Sequence, residues 1–422
     1  MKKPKFWLAI GPLLLAGLLA VLVFFSPFSI TPKYSKAQLN QFAVNPGSMA
    51  NFVGYSIKNQ AFANPNYLPI LGSSELEKFD PFHPSVFSEK YKTSYTPFLV
   101  GQPGTQSLPL FFYTNSVANQ LKDRKMVVII SPQWFTPRGI PADALSAFVS
   151  KGEVYTWLNN ADPKQETTRL LAGRLLQFPD FNNDLIIKDS LKSLKKGKAI
   201  STVNKLAIQI ADRFWHKEDI TFSYFNTLLN EQSNQESMIK SLAKSLPNKL
   251  NYDDLDDAAY QAGQKMADNN PYNIKNSVWS KNLKPNLAHY KDSQQKTSYL
   301  ASPEYADFQF LLNEFAQNKN DVEFIIQPVN GAWINYTGLS SDMMQKFAEK
   351  IRYQLESQGF NHITDLTPVQ DQPYYLGDTI HLGYRGWADV DGAISTFMKD
   401  KSKPDYHIQN DIFLSKDWQT NN

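Results

Sequence analysis

The sequence predicts an α/β protein: a parallel sheet with helices on both faces, a three-layer sandwich carrying a large, mostly helical insertion and an N-terminal transmembrane helix. Three observations predict it. Short runs rich in Val, Ile and Leu end in small or turn residues in the first half of the chain. Strand, turn and helix alternate again toward the C-terminus. An uncharged apolar run stands at the start.

That run comes first in order. "MKKPK" is followed by "FWLAIGPLLLAGLLAVLVFF", Phe6 to Phe25, which holds no charge. About twenty such residues span a hydrocarbon core of roughly 30 Å. Lysines in front and none just behind predict a cytoplasmic N-terminus. A cleaved signal peptide is the alternative, but its apolar core is usually about 7–15 residues long and ends at an A-x-A-like site, and "FFSPFSITP" offers none. The expectation is an uncleaved single-pass anchor over residues 1–28 and an extracellular domain over 29–422.

"YLPILGSS" (67–74), "TPFLVGQPGTQS" (96–107) and "KMVVIISPQWF" (125–135) read as buried strands with turns behind them. They do not alternate, as expected when both faces of a parallel sheet are covered. Between 141 and 299 the character changes. "ETTRLLAGRLLQF" and "VNKLAIQIADRFW" have helical spacing, and the polar stretch near 245–295 reads as long loops; this is the helical insertion. In "SPEYADFQFLLNEFAQ", Ser302 reads as a cap and Pro303 as the first helical residue, with Tyr305, Phe308, Leu312 and Phe315 on one face. "VEFIIQPVNG" is a buried strand and turn. "SDMMQKFAEKIRYQLESQGF" is amphipathic, with Met344, Phe347, Ile351 and Leu355 inward and Gly359 as its stop. "HITDLT" is a short strand, and "GDTIHLGYRGWADVDGAISTFM" is a turn entering the last helix. Ligands on such sheets sit beyond the carboxyl ends of the strands.

Composition removes several function classes. With no cysteine in 422 residues, disulfides, thiolate nucleophiles and cysteine-bound zinc are excluded. No His-Glu-x-x-His and no P-loop is present, so neither a metal nor another cofactor is expected. A net charge of +3 does not argue for nucleic acid, though a mildly basic surface suits a polyanionic polymer.

The chemistry-bearing residues lie at the predicted strand ends. Ser73 and Ser74 follow Gly72, and either could cap a helix or act as a nucleophile. A serine nucleophile needs a base, a group that orients the base, and donors for the developing oxyanion. Two of the six histidines close an Asp-x-x-His, Asp80/His83 and Asp378/His381. In a turn this spacing sets the aspartate beside the ring nitrogen that faces away from the serine. The first pair has Pro81 within it and Pro84 directly after it, and reads as loop packing. The second precedes the last helix and is open to either reading. "PVNGAWINYTG" reads as a strand end with a tight turn and buried Trp333 and Tyr336, serving structure or pocket lining.

The order of these blocks resembles the SGNH (GDSL-type) hydrolase superfamily. The longer strings "LGSSELEKFDPFHPSVF", "VGQPGTQSL", "ISPQWF", "PVNGAWINYTGL" and "DTIHLGYRGW" resemble the DltD family of the Gram-positive system that adds D-alanine to teichoic acids. The resemblance implies an SGNH-like fold with Ser74 as nucleophile and Ser73 where aspartate usually stands. It implies Asp378 and His381 as its partners. The oxyanion donors would be Ser74 N–H, a glycine amide from Gly101 or, preferred, Gly104, and the Gln133 side chain where the superfamily has asparagine. It implies work beside a membrane O-acyltransferase (DltB), a small membrane protein (DltX) and the D-alanyl carrier protein (DltC). D-alanyl groups would pass through a seryl ester to lipoteichoic acid. A thioesterase or esterase with the same triad, and a scaffold without catalysis, are the competing readings.

Overall fold

The computed structural model describes residues 10–18, 24, 32–48, 54–229 and 234–420. Of the expected anchor Phe6–Phe25, residues 10–18 and 24 are helical, and the remainder lies outside the described residues. Among the described residues no helix is long and apolar enough to cross a membrane.

Five parallel strands form one sheet: β1 (Tyr67–Leu71), β2 (Thr96–Val100), β3 (Lys125–Ile130), β4 (Asp321–Ile326) and β5 (Ile363–Asp365), in the order β2-β1-β3-β4-β5. Successive side chains point to opposite faces, and both faces are buried. Met126, Val128 and Ile130 enter one core, and Val127 and Ile129 enter the other. This is the reason the strands carry no polar alternation. Burying each such side chain contributes about 1.5–3 kcal/mol. Helices Ser107–Ser116, Glu304–Gln317 and Ser341–Glu356 cover the first face. Helices Pro84–Tyr91, Tyr252–Met266 and Tyr384–Lys399 cover the second.

The connection from β3 to β4 holds the predicted helical stretch, and it wraps both faces. Leu145, Leu158, Leu171 and Ile208 join the first core, and Ile239, Leu246 and Leu255 the second. Its polar end is more regular than expected. Tyr252–Met266 is a continuous helix capped by the Asn251 side chain, where the sequence reads as loop.

Three readings need correction. The helix at 304–317 is buried on every side from Glu304 to Phe315 rather than along one face. Asp307 binds Arg174 at 2.7 Å, whereas Glu304 rests on a backbone N–H: its Oε1 accepts from Ser107 at 2.8 Å, its Oε2 has no hydrogen-bond partner, and burial raises its pKa well above the ordinary carboxylate value. It begins one residue late, with Ser302 Oγ accepting the Glu304 N–H and Pro303 in the cap position. "GAWINYT" is a helix, Gly331–Thr337, rather than a tight turn, because the Asn330 side chain accepts the Trp333 N–H and caps it. Finally, Tyr384–Lys399 is not the last helix; Asn410–Phe413 and Lys416–Thr420 follow it.

Candidate active site

In a sheet of this order the chain direction of assembly reverses between β1 and β3, and the crevice beyond their carboxyl ends is the expected ligand site. The backbone of β1 leaves the sheet there. Gly72 N–H still pairs with Val100 O at 2.9 Å, Ser73 turns out of the strand at φ −133° and ψ −134°, and a single 3-10 turn runs from Ser74 to Glu77. Neither serine side chain caps that turn. The Ser73 hydroxyl donates to Gln102 O at 3.1 Å and so ties β1's exit to β2's. The Ser74 hydroxyl is 2.7 Å from His381 Nε2.

His381 arrives from a loop after β5. The loop is closed by the Leu376–Leu382 bridge and by Gly377 N–H donating to His381 O at 2.9 Å. Asp378 organises it. Its Oδ1 accepts the N–H groups of Ile380 and His381 at 2.9 and 2.8 Å, and its Oδ2 stands 2.6 Å from His381 Nδ1. The Asp-x-x-His spacing thus places one carboxylate on backbone and ring at once. Burial works to raise the Asp378 pKa, but the hydrogen bonds and charge of His381, with the two backbone N–H groups, outweigh it, and the net shift is downward. Asp378 is therefore held ionised beside Nδ1. This sets the tautomer in which Nδ1 carries the proton and Nε2 faces the serine with a lone pair.

A pocket of about 160 Å³ opens in front of Ser74 and His381. Gly104 and Gln133 line it, but Gly101 does not. A Cβ on Gly101 would overlap the Gly72 carbonyl, so that glycine serves close strand packing. Gly104 has φ +94°, a conformation open to glycine, which turns the loop back toward helix Ser107–Ser116. Among the described residues, no hydrogen bond engages the backbone N–H of Ser74 or of Gly104. Both residues line the pocket that contains the Ser74 hydroxyl.

The second Asp-x-x-His is elsewhere. His83 is buried and caps helix Pro84–Tyr91, its Nδ1 accepting the Ser85 N–H at 3.2 Å, with its ring 4.9 Å from that of Trp387. Asp80 Oδ1 accepts the Phe82 N–H at 2.9 Å, and Lys275 stands 3.8 Å from its other oxygen. Burial lowers the His83 pKa to about 3. The pair shapes a loop. Trp333 and Tyr336 stack on each other and meet Tyr272, and they do not line the pocket.

Sequence reasoning missed Glu75, Gln106, Ser131 and Gln327, all in the pocket wall. Ser131 and Gln327 each follow a strand directly, and that position was the available signal. A larger cavity of about 450 Å³ lies at the other end of the strands, where Thr96 and Pro97 open β2. It contains none of the site residues, and the smaller pocket is the one with chemistry.

The fold and this row of hydrogen bonds define a parallel α/β protein with a serine, histidine and aspartate aligned at the switch point of its sheet. The comparisons agree on a family. Residues 47–399 match the family model described as "DltD protein", and the chain belongs to that family. It is 39% identical to Protein DltD of Lacticaseibacillus rhamnosus over 99% of this chain and 98% of that one. Against Protein DltD of Bacillus subtilis (strain 168) the identity is 33% over 94% and 98%. Against that of Staphylococcus aureus it is 26% over 83% and 86%.

Proposed function

We propose that this chain is a membrane-anchored serine acyltransferase of teichoic acid D-alanylation, built on an SGNH-like fold with its main domain outside the cell. The observation that carries the reading is the continuous line from Ser74 Oγ to His381 Nε2 and from Nδ1 to Asp378. His381 takes the Ser74 proton as Oγ attacks the D-alanyl carbonyl. Ser74 N–H, Gly104 N–H and the Gln133 amide hold the oxyanion. The tetrahedral species collapses, the donor's leaving group takes the proton from His381, and a D-alanyl-seryl ester remains. A lipoteichoic acid hydroxyl then gives its proton to His381 and attacks that ester, which restores Ser74. The anchor keeps the site near a membrane O-acyltransferase (DltB) and DltX, which would pass on what the carrier DltC supplies.

The test is fluorophosphonate labelling of the full chain, read by peptide mapping. The expected result is one adduct on Ser74, absent in Ser74→Ala and His381→Ala. An unlabelled wild-type protein, or an adduct that survives His381→Ala, rules the reading out.

A further inference from the structure

The pocket that faces Ser74 contains a carboxyl group with no basic partner: burial raises the Glu75 pKa above the ordinary carboxylate value against the pull of backbone N–H groups, and an ammonium brought beside it would favour its charged form. Glu75 follows the serine directly, and its side chain is folded back into the wall, where the residue is 1% exposed. Its Oε1 accepts the Ser73 N–H at 2.6 Å. Gly72 makes room for it, since a Cβ there would overlap Oε1. A carboxylate buried this completely is normally paired. Yet no lysine or arginine lines the pocket, and among the described residues none lies within ion-pair distance of Glu75. His381 already has both ring nitrogens engaged, by Ser74 and Asp378.

The remaining wall is polar and neutral. Gln106, Gln133 and Gln327 line it, and the Oε1 atoms of Gln106 and Gln327 have no hydrogen-bond partner. Such a wall favours neither a fatty acyl chain nor an anion. The size is as informative as the charge. At about 160 Å³ the pocket is smaller than a drug-sized ligand site and suits a short acyl group. An acyl group of that size with a cationic amine on its α-carbon meets every condition.

We infer that Glu75 is the specificity-determining residue of this site, accepting the ammonium of a small aminoacyl group while Ser74 attacks its carbonyl. The inference rests on the acyl-transfer reading above. It adds the residue that selects the acyl group. The α-amine lies two bonds from the carbonyl carbon, and Glu75 lies one residue from the nucleophile, so one bound pose reaches both.

The test compares two N-acetylcysteamine thioesters, D-alanyl and propionyl, which differ by hydrogen in place of the ammonium. Both are offered to the full chain in detergent. Glu75→Gln keeps an oxygen for the Ser73 N–H and loses the charge. The ratio of kcat/KM for D-alanyl over propionyl is expected to fall about ten- to one-hundredfold in Glu75→Gln, mostly through KM, as for loss of a charged hydrogen-bond partner. Glu75→Asp, which keeps the charge, is expected to retain part of the preference. A Glu75→Gln ratio equal to wild type, with Ser74 still labelled by fluorophosphonate, overturns this inference and leaves the parent reading standing. Equal losses with Asp and Gln also overturn it, since shape rather than charge would then matter. A wild-type protein that is not labelled at Ser74 removes both.

Discussion

Asp80 provides a measurable account of why one Asp-x-x-His is structural. Its carboxyl is buried, and burial raises its pKa from 3.8 to about 6 despite the nearby Lys275 and the Phe82 N–H. At 3.8 Å the lysine is too far for a hydrogen bond, so the carboxylate is poorly compensated. The folded state therefore holds a proton that the unfolded chain releases between about pH 6 and 3.8. Stability attributable to this group rises as pH falls through that window and is lowest above it. Two pKa units at about 1.4 kcal/mol each give a total near 3 kcal/mol, of which about 2 falls between pH 7.5 and 4.0. Asp80→Asn keeps the acceptor for Phe82 and cannot titrate. Urea unfolding of wild type and variant at pH 7.5, 6, 5 and 4 reads the difference directly. The variant's advantage should shrink by about 2 kcal/mol toward pH 4, whatever constant offset the amide introduces beside Lys275. A gap independent of pH, or one that widens in acid, would refute the reasoning. The latter would mean that Lys275 lowers the pKa more than burial raises it. Acyl transfer should continue in this variant, because Asp80 touches nothing in the site.

Asp378→Asn should lower kcat for acyl transfer by about 10⁴, since the wrong histidine tautomer then faces Ser74; single-turnover kinetics measure it. Gln133→Ala should lower kcat about 10²–10³-fold with little change in KM if its amide serves the oxyanion; an unchanged kcat would leave the two backbone N–H groups as the donors. Gly104→Ala should cost about 1–2 kcal/mol in denaturant unfolding, because a Cβ at φ +94° is strained even where space is open.

The strands were legible because each is a short apolar run between turn signals, and a buried parallel sheet leaves that mark on sequence. Local chemistry narrowed the site to a serine at a strand exit and a carboxylate three residues before an imidazole, and the family resemblance selected Ser74, Asp378 and His381 from those candidates. The prolines beside Asp80 and His83 marked that pair as loop packing, but the turn itself does not distinguish the two, because both form an Asx-type turn that binds a backbone N–H two residues on. What differs is the fold behind them. His83 is drawn into the core against Trp387, while His381 projects over the strand ends. The wall of the pocket was illegible for the same reason. Gln327 means nothing beside β4 until β4 lies next to β3, and Gln106 nothing until β2 lies next to β1. Glu75 reads as an ordinary charged residue in a helix-like stretch; only Gly72 before it, with space for its carboxylate, marks it as buried.

The role of the helical stretch emerges from the same tertiary contacts. Ser74 and His381 are 307 residues apart, so their 2.7 Å contact depends on what fixes the histidine loop. Part of that support comes from the stretch between β3 and β4. Lys275 N–H donates to Gly377 O at 3.0 Å, one residue before Asp378. Asn330 N–H donates to Thr379 O at 3.0 Å, while the Asn330 side chain reaches back to Tyr272 O at 2.8 Å. Arg385, just past the loop, makes a two-pronged bond to Asp256 at 2.7 and 2.9 Å. A two-pronged guanidinium–carboxylate pair restrains orientation as well as distance. Tyr272, Lys275 and Asp256 all belong to the segment that carries no site residue in sequence. Its helices contribute to both cores, and its residues hold the histidine loop through these hydrogen bonds. The imidazole is thus placed by three elements distant in sequence, and a rearrangement of any one of them would be felt at Nε2.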